Sequence, residues 1–159
     1  MIYKIEVDVV CYNEHRVNMK HKENYNGFNQ FFRGGEADIR SVVAYNVHEN
    51  VGRLQEGGTS MLLFGSLIQQ FAVDHSGKDN TGLVRWFYMT FCGSEGIKTR
   101  VVFGYNPCYN KNKESNTSYQ QHRQFFITKQ KDRTCPRKCF REDLIAQLKQ
   151  IVYDQSFTI

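Results

Sequence analysis

The chain has 159 residues, 40% hydrophobic and 14% aromatic, enough to bury a core in one ordinary domain, and no run is apolar enough over sufficient length to span a bilayer. Its formal charge is +5, and the charge is concentrated: from Lys98 to Arg141 eleven Lys and Arg residues face only Glu114 and Asp132. That segment suits a phosphate-rich partner, or equally a solvated surface that is merely basic.

The opening "MIYKIEVDVV" carries Glu6 and Asp8 inside its apolar stretch, which argues against a signal peptide and for an intracellular protein, nuclear or cytoplasmic. The five cysteines, Cys11, Cys92, Cys108, Cys135 and Cys139, are odd in number, so a disulfide framework is not expected. Cys135 and Cys139 could share a helix face with His122 near them, but paired zinc knuckles are absent and free thiols are the better reading.

In chain order, "VDVVCY" reads as a short buried strand, "NEHRVNMKHKENYNGFNQ" as polar loop with a helical turn, and "SVVAYN" as a second strand. Gly57-Gly58 predicts a turn before the apolar run "TSMLLFG". "VRWFYMTFC", the turn "GSEG" and "IKTRVVFGY" predict a hairpin. "AVDHSG" between them reads as loop, and its Asp74-His75 pair as coincidence; "HSGK" lacks the spacing of a phosphate loop. After Pro107 a polar loop leads to "YQQHRQFFI", a helix capped by Thr117 or Ser118, with Tyr119, His122, Arg123 and Phe126 on a common side. "CPRKCFREDLIAQLKQIVYD" is the clearest helix: Pro136 suits its first turn, and Phe140, Leu144, Ile145, Leu148, Ile151 and Val152 form a stripe expected to pack on a sheet. Strands first, then strands alternating with helices, predict a mixed α+β class.

Polar residues at the ends of buried strands are held rigidly and can face a groove. Glu14 closely follows the first strand, and Tyr105 the last. A carboxylate suits a hard divalent cation, and a phenol can donate to a phosphate oxygen. Taken alone, a glutamate at a strand end is more often a surface residue.

The joint order of these features resembles the endonuclease/exonuclease/phosphatase superfamily, the DNase I-like phosphodiesterases. It looks most similar to the endonuclease domains of non-LTR retroelements. The features are the Glu-His pair after the first strand, "GGTSMLL", the Trp-bearing strand, "VVFGYNPC", "SYQQHRQFF" and the long amphipathic helix, spread from Val7 to Val152. The resemblance implies a DNase I-like β-sandwich flanked by helices, of which residues 1–159 form a partial domain, its front half. It implies Glu14 as the ligand of Mg2+ (or Mn2+), Tyr105 at the scissile phosphate, and Arg123 and Asn110 as phosphate or nucleic-acid contacts. Gly57, Gly58 and Thr59 match a structural turn. Asn13 stands where the family commonly has Gln, and Cys108 where some relatives have Asn.

The family's Gly-Asp-x-Asn and Ser-Asp-His motifs, which carry the general base, are not found, so little activity is expected of this chain by itself. The implied partners are nucleic acid, DNA foremost, and the remainder of the domain or a reverse transcriptase module, with no membrane. Two alternatives stand beside the phosphodiesterase. One is a relative of the family's phosphatases acting on phosphorylated small molecules or lipids. The other is a non-catalytic basic module that binds nucleic acid and stacks bases on Tyr109 and Tyr119.

Overall fold

A computed structural model describes residues 7–18, 39–47, 57–112, 117–129 and 134–153. Among the described residues it is a mixed α and β structure with two antiparallel sheets and three helices, and it divides into two compact units, Met1–Phe103 and Gly104–Ile159.

The first unit carries the sheets. In one, strands β1 (Val9–Asn13) and β2 (Ile39–Ala44) flank β3 (Thr59–Phe64), with Val9 opposite Leu63, Cys11 opposite Met61, and both Asn13 and Ala44 opposite Thr59. The central β3 is buried from Thr59 to Leu63, which is why it reads as an apolar run rather than an alternation. A helical turn, α1 (Leu67–Gln70), leads to the second sheet. There β5 (Trp86–Cys92) lies between β4 (Phe71–Lys78) and β6 (Lys98–Gly104). The β5–β6 turn is the expected one. Glu95 and Gly96 take positive φ values of 60° and 77°, and the Gly93 amide donates to the Ile97 carbonyl at 2.7 Å.

Both sheets feed one core. Ala44, Met61 and Leu63 from the first meet Phe87, Met89 and Phe91 from the second, with Phe103 edge-on to Phe87 at 5.8 Å. Burying these six residues and Val84, with partly buried neighbours such as Phe103 around them, supplies the main driving force of this unit.

Strand β4 corrects the expectation of a loop at "AVDHSG". Its polar centre hides the strand, because the pairing with β5 is made at its two ends and shifts register between Ala72 and Gly77. Ser76 repairs the irregularity: its hydroxyl donates to the Ala72 carbonyl at 3.0 Å and accepts from the Thr90 amide at 3.2 Å. Asp74 and His75 therefore lie on a strand.

The second unit carries the longer helices. Helix α2 (Ser118–Lys129) starts at Thr117, whose hydroxyl accepts from the Gln120 amide at 3.4 Å, and it buries Tyr119, His122 and Phe126. Helix α3 (Pro136–Tyr153) concentrates its burial in the first turns, at Pro136, Cys139 and Phe140. The stripe expected to pack on a sheet is only partly covered: Ile145 is 53% exposed, Val152 59% and Leu148 38%. Helix α2 contacts α3 but is twelve residues against eighteen. It spans about 18 Å and cannot cover a helix of about 27 Å.

The helical expectations at "NEHRVNMKHKENYNGFNQ" fall mostly outside the described residues. No helix among the described residues is long and apolar enough to cross a membrane.

Candidate functional site

In the second unit residues 105–112 follow β6 without regular secondary structure and bond to α2. Gln120 on α2 ties this segment, its side-chain amide donating to the Asn110 carbonyl at 2.7 Å. Asn110 also accepts the Asn112 amide on its own Oδ1 at 2.8 Å, an Asx turn that shapes the loop. Together with Tyr119 and the first turns of α3, this loop borders an open concave site of about 420 Å³. It is lined by Asn106, Tyr109, Tyr119, Cys135, Arg137, Lys138 and Arg141.

The aromatic wall is the tyrosine pair. Tyr109 and Tyr119 meet edge to face, ring centres 5.2 Å apart at 86°. Tyr119 is only 6% exposed, whereas Tyr109 is 59% exposed, so a braced ring offers much of its surface outward. Burial, with Cys135 and Tyr109 close by, raises the Tyr119 phenol above its ordinary value against the pull of Arg123 and Arg137, so at neutral pH it is a neutral donor.

The cationic wall is helical. Arg137, Lys138 and Arg141 occupy the first two turns of α3, and no acidic residue stands in the first turn. The positive end of the helix dipole disfavours cations there, and the like charges of Arg137 and Arg141 sit one turn apart on the same side. Lys138 has a loose exposed partner in Glu142 at 3.7 Å. Among the described residues no carboxylate pairs with Arg137 or Arg141. An anion is the ligand that relieves this arrangement.

The residues singled out in the sequence divide between the units. Tyr105 follows β6 and is half-buried, but Asn106, its neighbour, is the one that lines the concavity; Pro107 is buried. Arg123 lies one turn beyond Tyr119 on α2, within electrostatic reach of its phenol. Asn110 serves the loop as described. Cys108 and Cys135 are exposed thiols and Cys139 is buried.

Glu14 belongs to the first unit, just past β1, half-buried, with a left-handed φ of 51°. Beside it His15 is fixed where the three strands of the first sheet end together. Its Nδ1 accepts the Val17 amide at 3.1 Å and its ring lies against Gly58, whose φ is +89°. Burial lowers the His15 pKa below its ordinary value, outweighing a backbone hydrogen bond to Ala44. Buried Asn18, Asn46, Thr59 and Ser60 make this strand end unusually polar.

Among the described residues no three His, Cys, Asp or Glu side chains are grouped so as to hold a metal ion. A magnesium ion held by one carboxylate, waters and substrate phosphate forms no such group, so the donor chemistry of Glu14 fits that role only as a single ligand.

Sequence reasoning missed His15 as a fixed group and Asn106 as a lining residue. The spacing of Arg137, Lys138 and Arg141 on a helix that begins at Pro136 is a signal that could have picked out one cationic face from the wider basic segment. Compared with protein-family models, with curated proteins and with solved structures, the chain finds no match.

Proposed function

We propose that the chain binds nucleic acid through its second unit, with backbone phosphates against Arg137, Lys138 and Arg141. The observation that carries this reading is the pair Arg137 and Arg141, two cations without carboxylate partners among the described residues, at the anion-favouring end of a helix and in the wall of a concave site. Three phosphate contacts predict that log K falls linearly with log salt, with a slope of about −2 for single strands and about −3 for duplex. Fluorescence anisotropy of a labelled oligonucleotide over a salt series, without metal, measures it. Arg137→Gln with Arg141→Gln should flatten the slope by between one and two. Binding that ignores salt would sink the proposal.

A second reading follows from the resemblance to DNase I-like phosphodiesterases. It is supported by the left-handed backbone at Glu14, because strain of this kind gathers where a side chain must be aimed. Glu14 would then hold Mg2+ (or Mn2+), which would supply charge neutralisation at a substrate phosphate; for Tyr105 the resemblance implies a phosphate contact of its own. Plasmid nicking in magnesium tests it. Cleavage that disappears in Glu14→Ala supports hydrolysis. DNA binding without any cleavage leaves the first reading alone.

A further inference from the structure

We infer that the concave site of the second unit receives a single unpaired nucleotide, its base stacked on Tyr109 and its phosphate on Arg137 and Arg141. This rests on the nucleic-acid reading and names the kind of strand that the site selects.

The first ground is the state of the two tyrosines. A ring that served only the core would be covered, as Tyr119 is at 6% exposure. Tyr109 is 59% exposed yet held edge-on by Tyr119, so it is positioned without being buried. Little freedom is lost when something flat settles on it, and every base presents a π-face for such stacking.

The second ground is access. A base within a duplex already stacks on both faces and cannot also cover a tyrosine inside a concavity. A base of a single strand can. The site's volume of about 420 Å³ falls in the range of small-ligand pockets, which suits one nucleotide rather than a groove that tracks a double helix.

The third ground is the register of charge. Arg137 and Arg141 lie one helical turn apart, an axial rise of about 6 Å, so together they can grip one phosphate or two successive ones. They share the cavity wall with Tyr109, so phosphate and base of the same nucleotide can be satisfied at once.

The fourth is Asn106. Its Oδ1 is covered and has no hydrogen-bond partner among the described residues, although the residue lines the site. The amide can turn toward a ligand without breaking a bond at that oxygen, and a base edge, with both donors and acceptors, offers it the missing partner.

The experiment compares three probes of equal length at one salt concentration by fluorescence anisotropy: a mixed-sequence single-stranded dodecamer, the same sequence as a duplex, and a dodecamer of abasic nucleotides. The dodecamer with bases should bind about 5- to 150-fold tighter than the abasic strand, the range expected for stacking one base. It should also bind tighter than the duplex. Tyr109→Ala should bring its affinity down to that of the abasic strand, and Tyr109→Phe should keep it. The high exposure of Tyr109 makes both variants safe for folding. Equal, salt-sensitive binding of all three probes overturns the unpaired-nucleotide inference while leaving phosphate binding intact. Failure of all three to bind at low salt overturns both.

Discussion

Asp79 grips Arg85 with both carboxylate oxygens, accepting from Nε at 2.7 Å and from Nη2 at 2.9 Å, and both side chains are almost wholly withdrawn from solvent. The pair closes the loop between β4 and β5, and the Arg85 guanidinium stacks over Trp86 at 4.4 Å. Asp79 does more than pair. It also accepts the Thr81 amide at 3.0 Å, the Thr81 hydroxyl at 2.7 Å and the Arg85 amide at 3.2 Å. The loop so held contains Val84, a β-branched residue at φ 54° whose side chain belongs to the core. The lock keeps an unfavourable backbone in place for the sake of a packed side chain.

Asp79→Ala should therefore destabilise the first unit by about 3–5 kcal/mol, the cost of leaving a buried guanidinium without its counter-ion. Thr81→Val should cost about 1–3 kcal/mol, because the hydroxyl both donates to Asp79 and accepts the Leu83 amide at 3.3 Å. Urea denaturation followed by Trp86 fluorescence measures both. Replacing the pair together by Asp79→Leu and Arg85→Met should not restore stability, because the backbone amides of Thr81 and Arg85 would still lack their acceptor. Full rescue by the double variant would mean that the ion pair alone matters.

Two buried groups predict how stability depends on pH. Burial by itself would raise the Asp79 carboxyl, but the hydrogen bonds and charge of Arg85, with the Thr81 donors, hold it below its ordinary value of 3.8. Its contribution is complete above that value and is lost as pH falls through the lower folded one. His15 is lowered from 6.5. Between its folded value and 6.5 the unfolded chain binds the proton and the folded chain does not, so stability falls as pH drops below 6.5. Denaturation midpoints should be flat above neutrality, decline in mild acid and fall again in strong acid. His15→Gln should remove the first decline and leave the second.

Gly58 and His15 make a coupled pair. A Cβ at Gly58 would run into the His15 ring, and its φ of +89° disfavours any side chain. Gly58→Ala should cost more than about 1 kcal/mol. Adding His15→Ala should return the part due to collision but not the part due to φ, so the double-mutant cycle should show a coupling of about 0.5–3 kcal/mol. Additive costs would place the ring elsewhere.

Much of this architecture could be read from residue patterns, and the failures have physical causes. Strands β1, β2, β3, β5 and β6 announce themselves by apolar runs between turns, and α2 and α3 by capping and helical spacing. Strand β4 does not, because a bulged strand mended by Ser76 needs no alternation. The Asp79–Arg85 lock joins residues six apart across an irregular loop, a spacing that belongs to no periodic element. For the candidate site, the sequence marks Tyr109 and Tyr119 as aromatics of a basic segment, but not that Tyr119 is buried and only Tyr109 exposed. Which of the eleven cations share a concavity depends on where α3 starts and how the 105–112 segment bonds to α2. Asn106 carries no signal of its own beside the more conspicuous Tyr105.

Glu14 offers a test that separates a stabilising role from a functional one. Its φ of 51° is a conformation that costs an L-residue about 1–2 kcal/mol, and glycine adopts it freely. In Glu14→Gly the relieved strain is set against the greater freedom of glycine in the unfolded chain and the loss of the side chain's own interaction, so stability should change by no more than about 1 kcal/mol. Arg16, at φ 54°, is the control, and Arg16→Gly should behave alike in denaturation. The two should part in magnesium titrations carried out with bound oligonucleotide. If Glu14 is a metal ligand, Glu14→Gly abolishes the metal-dependent change in anisotropy and Arg16→Gly keeps it. A clear loss of stability in Glu14→Gly would show instead that its carboxylate holds the strand end together.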